Sequence, residues 1–386
     1  MQHSFNSPLF RKASEQFGGT VDVENLGEHK AIYMLAATCF TTIKNSFRSK
    51  NPAFYDFLES VDVGFIFSDR PNAQAWSVGG KHFIGLTSGL VHLIYYVTQY
   101  IFSIKDAFPY IDGGELEDPI APDTLRVGFA IDQIVRLKKA QIIAYSRERS
   151  PRSEDRHSIS ILSAICAFQF VILHEYAHLF FGHLAIIRDI YGLQLLTELN
   201  YDEDAVDYGL PNEAKQFFEI QADQFAVDLA LRNRIFFESK MDDVELESLY
   251  GVWSLSVHLM FWLFSQLTSF ESKSIQASHP HPQTRSFSAF IATNQQFERL
   301  SAAKSRRKRH ANTVASRGAS RGIAMLKEFW TKYDIPGSSW LWLESEHSME
   351  QHMKWSQLML SQVKEIRGRQ AEYVNLNIYD ALFLKK

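Results

Sequence analysis

Apolar and polar positions alternate along this chain with two different periods, and the change between them lays out the elements. Ala31 to Ser46 reads as a helix. Val61-Asp62-Val63-Gly64-Phe65-Ile66-Phe67, rich in β-branched and aromatic residues, reads as a strand. Asp69-Arg70-Pro71-Asn72 is a turn, and Ala75 to Leu86 is expected to pair back as the second strand of a hairpin. Thr87 to Lys105 is helical. The stretch 110–124, with Asp112-Gly113-Gly114-Glu115, is a loop, and 125–145 is helical again. Ser150-Pro151 breaks that helix, and the apolar run from Ile159 to Leu173 begins another. Further helices are expected over 213–232 and 246–269. The second carries Trp253, Phe261, Trp262 and Phe264, a stripe that reads as core. The fold class this predicts is α+β: mostly helical, with a small antiparallel sheet and helical additions at both ends.

One break in the apolar pattern carries chemistry. His174-Glu175-Tyr176-Ala177-His178 spells H-E-x-x-H inside a strongly apolar helical stretch. Positions four apart share a helix face, so His174 and His178 can offer imidazole nitrogens to one metal ion. Glu175 lies beside them and can take a proton from a metal-bound water. A histidine on an apolar helix is more often a hydrogen-bonded core residue. Yet two histidines and a glutamate inside a buried helix are costly unless something pairs them, and a metal does so.

Catalytic zinc usually has three protein ligands and an open position. A third histidine at the metzincin spacing would fall on Leu184, so that pattern fails; His183 is one residue early and is a weaker ligand candidate. Glu219 and Asp223, four apart in Phe218-Glu219-Ile220-Gln221-Ala222-Asp223, are the better pair. Glu219 would bind zinc and Asp223 would orient a ligand histidine. Ala222 and Ala226 would let their helix approach the motif helix closely. The competing reading is a solvated acidic pair on a surface helix.

Taken together, H-E-x-x-H followed by E-x-x-A-D resembles the gluzincin metalloproteases related to the CAAX prenyl protease and HtpX. Two more stretches fit that resemblance. Pro71 to Leu90, with Asn72-Ala73-Gln74-Ala75 and Gly79-Gly80, is similar to the family's edge strand and following helix. Ser278-His279-Pro280-His281-Pro282-Gln283-Thr284-Arg285 is similar to its H-P-x-x-x-x-R segment. The resemblance covers about residues 60–290 and implies a minimal gluzincin (zincin) core. It implies that His279 and Arg285 help stabilise the tetrahedral intermediate and anchor the site, with His281 a competitor for the histidine. It also implies that a substrate strand adds beside Ala75, Trp76, Ser77 and Val78. The layout resembles the Lit-like phage-exclusion proteases as well, which would imply a protein substrate and a part in phage defence.

Composition narrows the setting. At 386 residues the chain can bury a large core. A net charge of -4 gives no bulk attraction to nucleic acid, and none is expected as a partner; a protein or peptide substrate is. Two cysteines, Cys39 and Cys166, make no disulfide framework, and the first residues lack the features of a signal peptide. A cytoplasmic location is expected. Three segments approach membrane-span character (84–104, 159–173 and 252–267), but His92, Gln99, His258 and Gln266 interrupt two of them and the third is short; all three read as core helices. The organisation expected is an N-terminal helical segment over 1–60, a zinc metallopeptidase core over 61–300, a basic and flexible linker over 301–322, and a helical tail over 323–386. The linker follows from the basic run Lys304 to His310 and the Ser, Gly and Ala content after it. The function expected is zinc-dependent peptide hydrolysis. The rivals are a catalytically silent protein-binding module on the same scaffold and a membrane-associated processing protease.

Overall fold

The computed structural model describes residues 5–48, 51–105, 107–109, 111–112, 117, 150–191, 195–197, 212–237, 241–269, 282–301 and 306–333. Ten helices and four strands fall within them. In chain order these are α1 (Pro8–Ser14), α2 (Lys30–Phe47), α3 (Pro52–Glu59), β1 (Val61–Ile66), β2 (Ala73–Val78), β3 (Lys81–Thr87), α4 (Ser88–Phe102), α5 (Glu154–Phe180), α6 (His183–Tyr191), β4 (Leu195–Thr197), α7 (Asn212–Phe237), α8 (Asp243–Ser269), α9 (Pro282–Ser301) and α10 (Arg306–Lys332). The class is α+β and mostly helical.

The sheet is mixed, in the order β1-β3-β2-β4. This corrects the expected antiparallel hairpin. β1 does not meet the strand that follows it; β2 and β3 form the hairpin, closed by Gly79-Gly80 with both φ values positive, and β1 runs parallel to β3. The stretch 75–86, read as one strand, therefore contains a turn. β1 reaches the parallel position because Asp69 to Asn72 spans the end of the sheet: the Thr87 hydroxyl takes the Asn72 N–H and donates to the Arg70 carbonyl. Thr87 also caps α4, its Oγ1 accepting from the Leu90 amide.

Helix α5 runs through the middle of the molecule. It packs against α2, α4, α7 and α8 on its sides and meets β2 and β3. Its low amphipathicity follows from that position, since the half from Phe170 to Phe180 is buried throughout and needs no polar face. It is also the one helix among the described residues long and apolar enough to cross a membrane by length and composition. Its start is fixed by polar groups. Glu117 accepts the Arg152 and Ser153 amides, and the fully buried Arg156 bonds Asp112 and the carbonyls of Phe102, Ile104, Lys105 and Phe108. That guanidinium satisfies carbonyls at the end of α4 that have no helical partner. The expected 110–124 loop is described only at 111–112 and 117. The expected helix over 125–145 lies outside the described residues.

The proposed linker is corrected as well. From Arg306 the chain is one helix, α10, which passes through the 322/323 boundary and lies along α8. Its small residues form a packing seam. A Cβ at Gly318 would stand 2.2 Å from the Glu247 carbonyl oxygen, and one at Gly322 would stand 2.1 Å from that of Gly251. The basic residues at this end face acids on α8: Arg317 and Arg321 pair with Glu247, and His310 with Asp243. Trp330 packs against Trp262. The tail beyond residue 333 lies outside the described residues.

Candidate metal centre

His174, Glu175 and His178 occupy the C-terminal half of α5 and are each 2% exposed. α7 crosses beside them, and Ala222 and Ala226, both fully buried, allow the close approach. This brings Glu219 and Asp223 onto the two histidines. His174 Nε2 and His178 Nε2 stand 2.9 Å apart, and Glu219 lies 3.4 Å from the first and 3.7 Å from the second. Ligand atoms of a tetrahedral ion with bonds of about 2.0–2.1 Å stand roughly 3.3 Å apart; the His174 Nε2 to Glu219 Oε2 separation is close to that, and the 3.7 Å contact to His178 is made by the other oxygen, Oε1. These three residues form the one group among the described residues whose donor atoms could hold a metal in common.

The distal ring atoms are held too. His174 Nδ1 lies 2.9 Å from Asp223 Oδ1. A carboxylate there keeps the proton on Nδ1 and leaves Nε2 free to bind. Asp223 is in turn gripped by Arg285 from α9, whose Nε and Nη2 each lie 2.8 Å from a carboxylate oxygen. Nη2 also lies 3.4 Å from Glu219. The guanidinium stands 5.6 Å from the ring centres of Phe261 and Phe264 on α8, which shield the pair from water. Both donor directions of the fork are directed at acids. These contacts agree with the anchoring half of the role expected for Arg285, since it holds Asp223 and reaches Glu219.

Sequence reasoning passed over one pair. α5 ends at Phe180, and Gly182, with a φ of 68°, reverses the chain and starts α6 at His183. His183 is fully buried and stacks on Phe218 at 4.3 Å. Its Nδ1 lies 2.9 Å from His178 Nδ1, and its Nε2 lies 2.8 Å from Gln221 Oε1. Burial pushes its pKa down to about 3, so the ring is neutral. His183 thus supports a candidate ligand and is not itself one of the three that converge. The signal was present in the sequence as a histidine five residues after His178, just after a glycine.

The remaining expected site residues divide. His279 and His281 lie outside the described residues, as do the acids at 202–207. The substrate-edge reading of Ala75, Trp76, Ser77 and Val78 is corrected in part. β4 already pairs antiparallel with β2, Ala75 opposite Leu196 and Trp76 opposite Leu195. Ala75 and Trp76 are buried, and Trp76 packs with Phe10, Ile66 and Phe83 behind the sheet. Ser77 and the half-exposed Val78 extend past the β4 register. They border a cavity of about 250 Å³ with His82, Leu179, Leu184 and Arg188, beside the end of the motif helix. Ser77 Oγ bonds His82 Nδ1 at 2.7 Å, and burial lowers the His82 pKa, helped by the charge of Arg188.

No family model matches the chain, and neither a curated protein nor a solved structure resembles it. The site must be judged on its own chemistry.

Proposed function

We propose that the protein is a zinc-dependent metalloendopeptidase acting on a protein or peptide substrate, in a soluble, cytoplasmic setting. The observation that carries this reading is the convergence of two imidazole Nε2 atoms and one carboxylate at bonding separations, with Glu175 next to His174 in the same buried helix. Zn²⁺ bound there would lower the pKa of water and polarise a scissile carbonyl. His174, His178 and Glu219 would hold it. Neutral imidazoles with one carboxylate fit a borderline-soft divalent ion better than Mg²⁺ or Ca²⁺, which prefer all-oxygen sites. Glu175 would take the proton from water and return it to the leaving amine, the usual division of labour in H-E-x-x-H sites. Asp223 and Arg285 would keep the His174 ring and the Glu219 carboxylate in place.

The test combines metal content with cleavage. Purified protein should carry about one zinc per chain by elemental mass spectrometry, and should cut an unfolded protein substrate in a chelator-sensitive way. Absence of zinc after reconstitution at neutral pH would remove the proposal. A second reading is supported by the burial of the centre. With Glu175 and every candidate ligand almost completely enclosed, the metal could be structural in a protein-binding module. Zinc bound with no hydrolysis, and a binding phenotype unchanged in Glu175→Gln, would favour that reading.

A further inference from the structure

We infer that His183 and Gln221 form a positioning relay that fixes the tautomer of His178 and so makes its Nε2 a metal donor. The inference rests on the metal reading above and goes beyond it. Histidine ligands commonly give their second ring proton to a carboxylate or a backbone carbonyl. Here the two ligands differ. His174 has Asp223, whereas His178 faces another imidazole, 2.9 Å away.

The direction of the relay follows from hydrogen-bond valence. A neutral imidazole has one N–H and one lone pair. Gln221 Oε1 can only accept, so His183 Nε2 carries the proton across the 2.8 Å contact. His183 Nδ1 is then a lone pair, and it can only accept from His178 Nδ1. His178 Nε2 is left unprotonated and faces Glu219 and His174. The reverse amide orientation would send every proton the other way and close His178 Nε2 to a metal. Gln221 therefore selects the binding-competent tautomer through two bonds. The backbone supports this arrangement, since Gly182 turns the chain back and the Phe218 ring pins His183 in plane. A neutral acceptor also polarises His178 less than a carboxylate would, which makes His178 the softer-held of the two histidines.

The experiment measures zinc affinity of the full chain by chelator competition, and the visible spectrum after Co²⁺ substitution. His183→Phe keeps the stack on Phe218 and removes the acceptor. It should weaken zinc binding by about 10–100-fold and shift the Co²⁺ bands. His183→Gln, which restores an acceptor, should recover most of the affinity. Gln221→Glu, an obligate acceptor, should bind at least as tightly as the wild type. If His183→Phe binds zinc like the wild type with an unaltered Co²⁺ spectrum, the relay is wrong and the metal proposal stands. If the wild type binds no zinc, both fall. Should His183→Phe fail to fold, judged by metal-free thermal unfolding, Gln221→Leu serves the same purpose. It removes the tautomer lock at a half-buried position, and full affinity in that variant would overturn the relay.

Discussion

Replacing Arg285 with Met tests whether this arginine serves the site's charge balance or the reaction. The perturbation removes a cation that is 3% exposed and leaves Glu219 and Asp223, at 1% and 0%, facing each other without it. Met is flexible enough to lie between the rings of Phe261 and Phe264. Taking one partner from a buried, hydrogen-bonded ion pair costs about 3–5 kcal/mol, because the remaining charge stays desolvated. At roughly 2.1 cal/mol/K per residue, a chain of this length has an unfolding entropy of about 0.8 kcal/mol/K, so the metal-free midpoint should fall by about 4–6 °C. A divalent cation supplies the missing positive charge. Zinc should therefore stabilise Arg285→Met more than the wild type, by about 1.4 kcal/mol for each tenfold gain in affinity. The assay is thermal unfolding of both proteins with chelator and with zinc. Equal metal-free stability combined with a loss of cleavage would refute this reasoning and return Arg285 to the substrate. An equal loss with and without zinc would show that Arg285 and the metal position are not coupled.

Other outcomes are equally specific. Glu175→Gln should keep its zinc and lose cleavage by about 10²–10⁴-fold; a variant that still cleaves would remove Glu175 as the proton carrier. Gly322→Ala gains about 1 kcal/mol of helix propensity but sets a Cβ 2.1 Å from the Gly251 carbonyl oxygen, so α8 and α10 must separate. Net destabilisation of about 1–2 kcal/mol is expected by denaturant unfolding, and an unchanged midpoint would contradict the seam. His258, bonded to Ser286, has its pKa pushed down to about 4 by burial. Its folded pKa lies below the unfolded value of about 6.5, so between those limits the unfolded chain binds the extra proton. Stability is full above about pH 6.5 and falls as pH drops toward 4, by at most roughly 3 kcal/mol from this group. His258→Gln should flatten the stability–pH slope in that window.

The legible parts of the sequence were those where local chemistry and packing agree. H-E-x-x-H and E-x-x-A-D state their own geometry, because a spacing of four puts both members of each pair on one helix face. The α4 and α8 helices announced themselves through length and apolarity. What failed was non-local or ambiguous in composition. Nothing in Val61–Phe67 says that its partner is β3 rather than the nearer β2, since parallel pairing is decided by what covers the sheet. Gly318 and Gly322 read as linker by content; only their spacing of four, matched to Gly251 on α8, makes them a helix seam. The resemblance gave Arg285 a part in anchoring the site, but what it anchors was not legible in the sequence. Its two 2.8 Å contacts to Asp223 join residues 62 positions apart, which no local pattern encodes. His183 was weighed only as a ligand, and its role as a ligand's partner depends on the left-handed turn at Gly182.

Enclosure of the centre sets the last question, which is how a substrate would reach Glu175. An extended peptide normally binds a zinc protease by adding a strand, and the β2 register from Gln74 to Trp76 is taken by β4 in the antiparallel sense a peptide would use. Three residues of ladder are a small barrier, since short strand pairings open locally at low cost. If β4 holds the place of the substrate, Leu196→Pro, which removes an amide donor and disfavours the strand, should raise the initial rate on an unfolded protein chiefly by lowering KM. A structural β4 predicts the opposite: Leu196→Pro would lower stability and leave the rate per folded molecule unchanged or reduced. Initial rates at several substrate concentrations, normalised to the folded fraction, separate the two. A fall in kcat with KM unaltered would mean that the peptide does not take the place of β4; among the described residues, Ser77 and Val78 have no β4 partner and border the cavity.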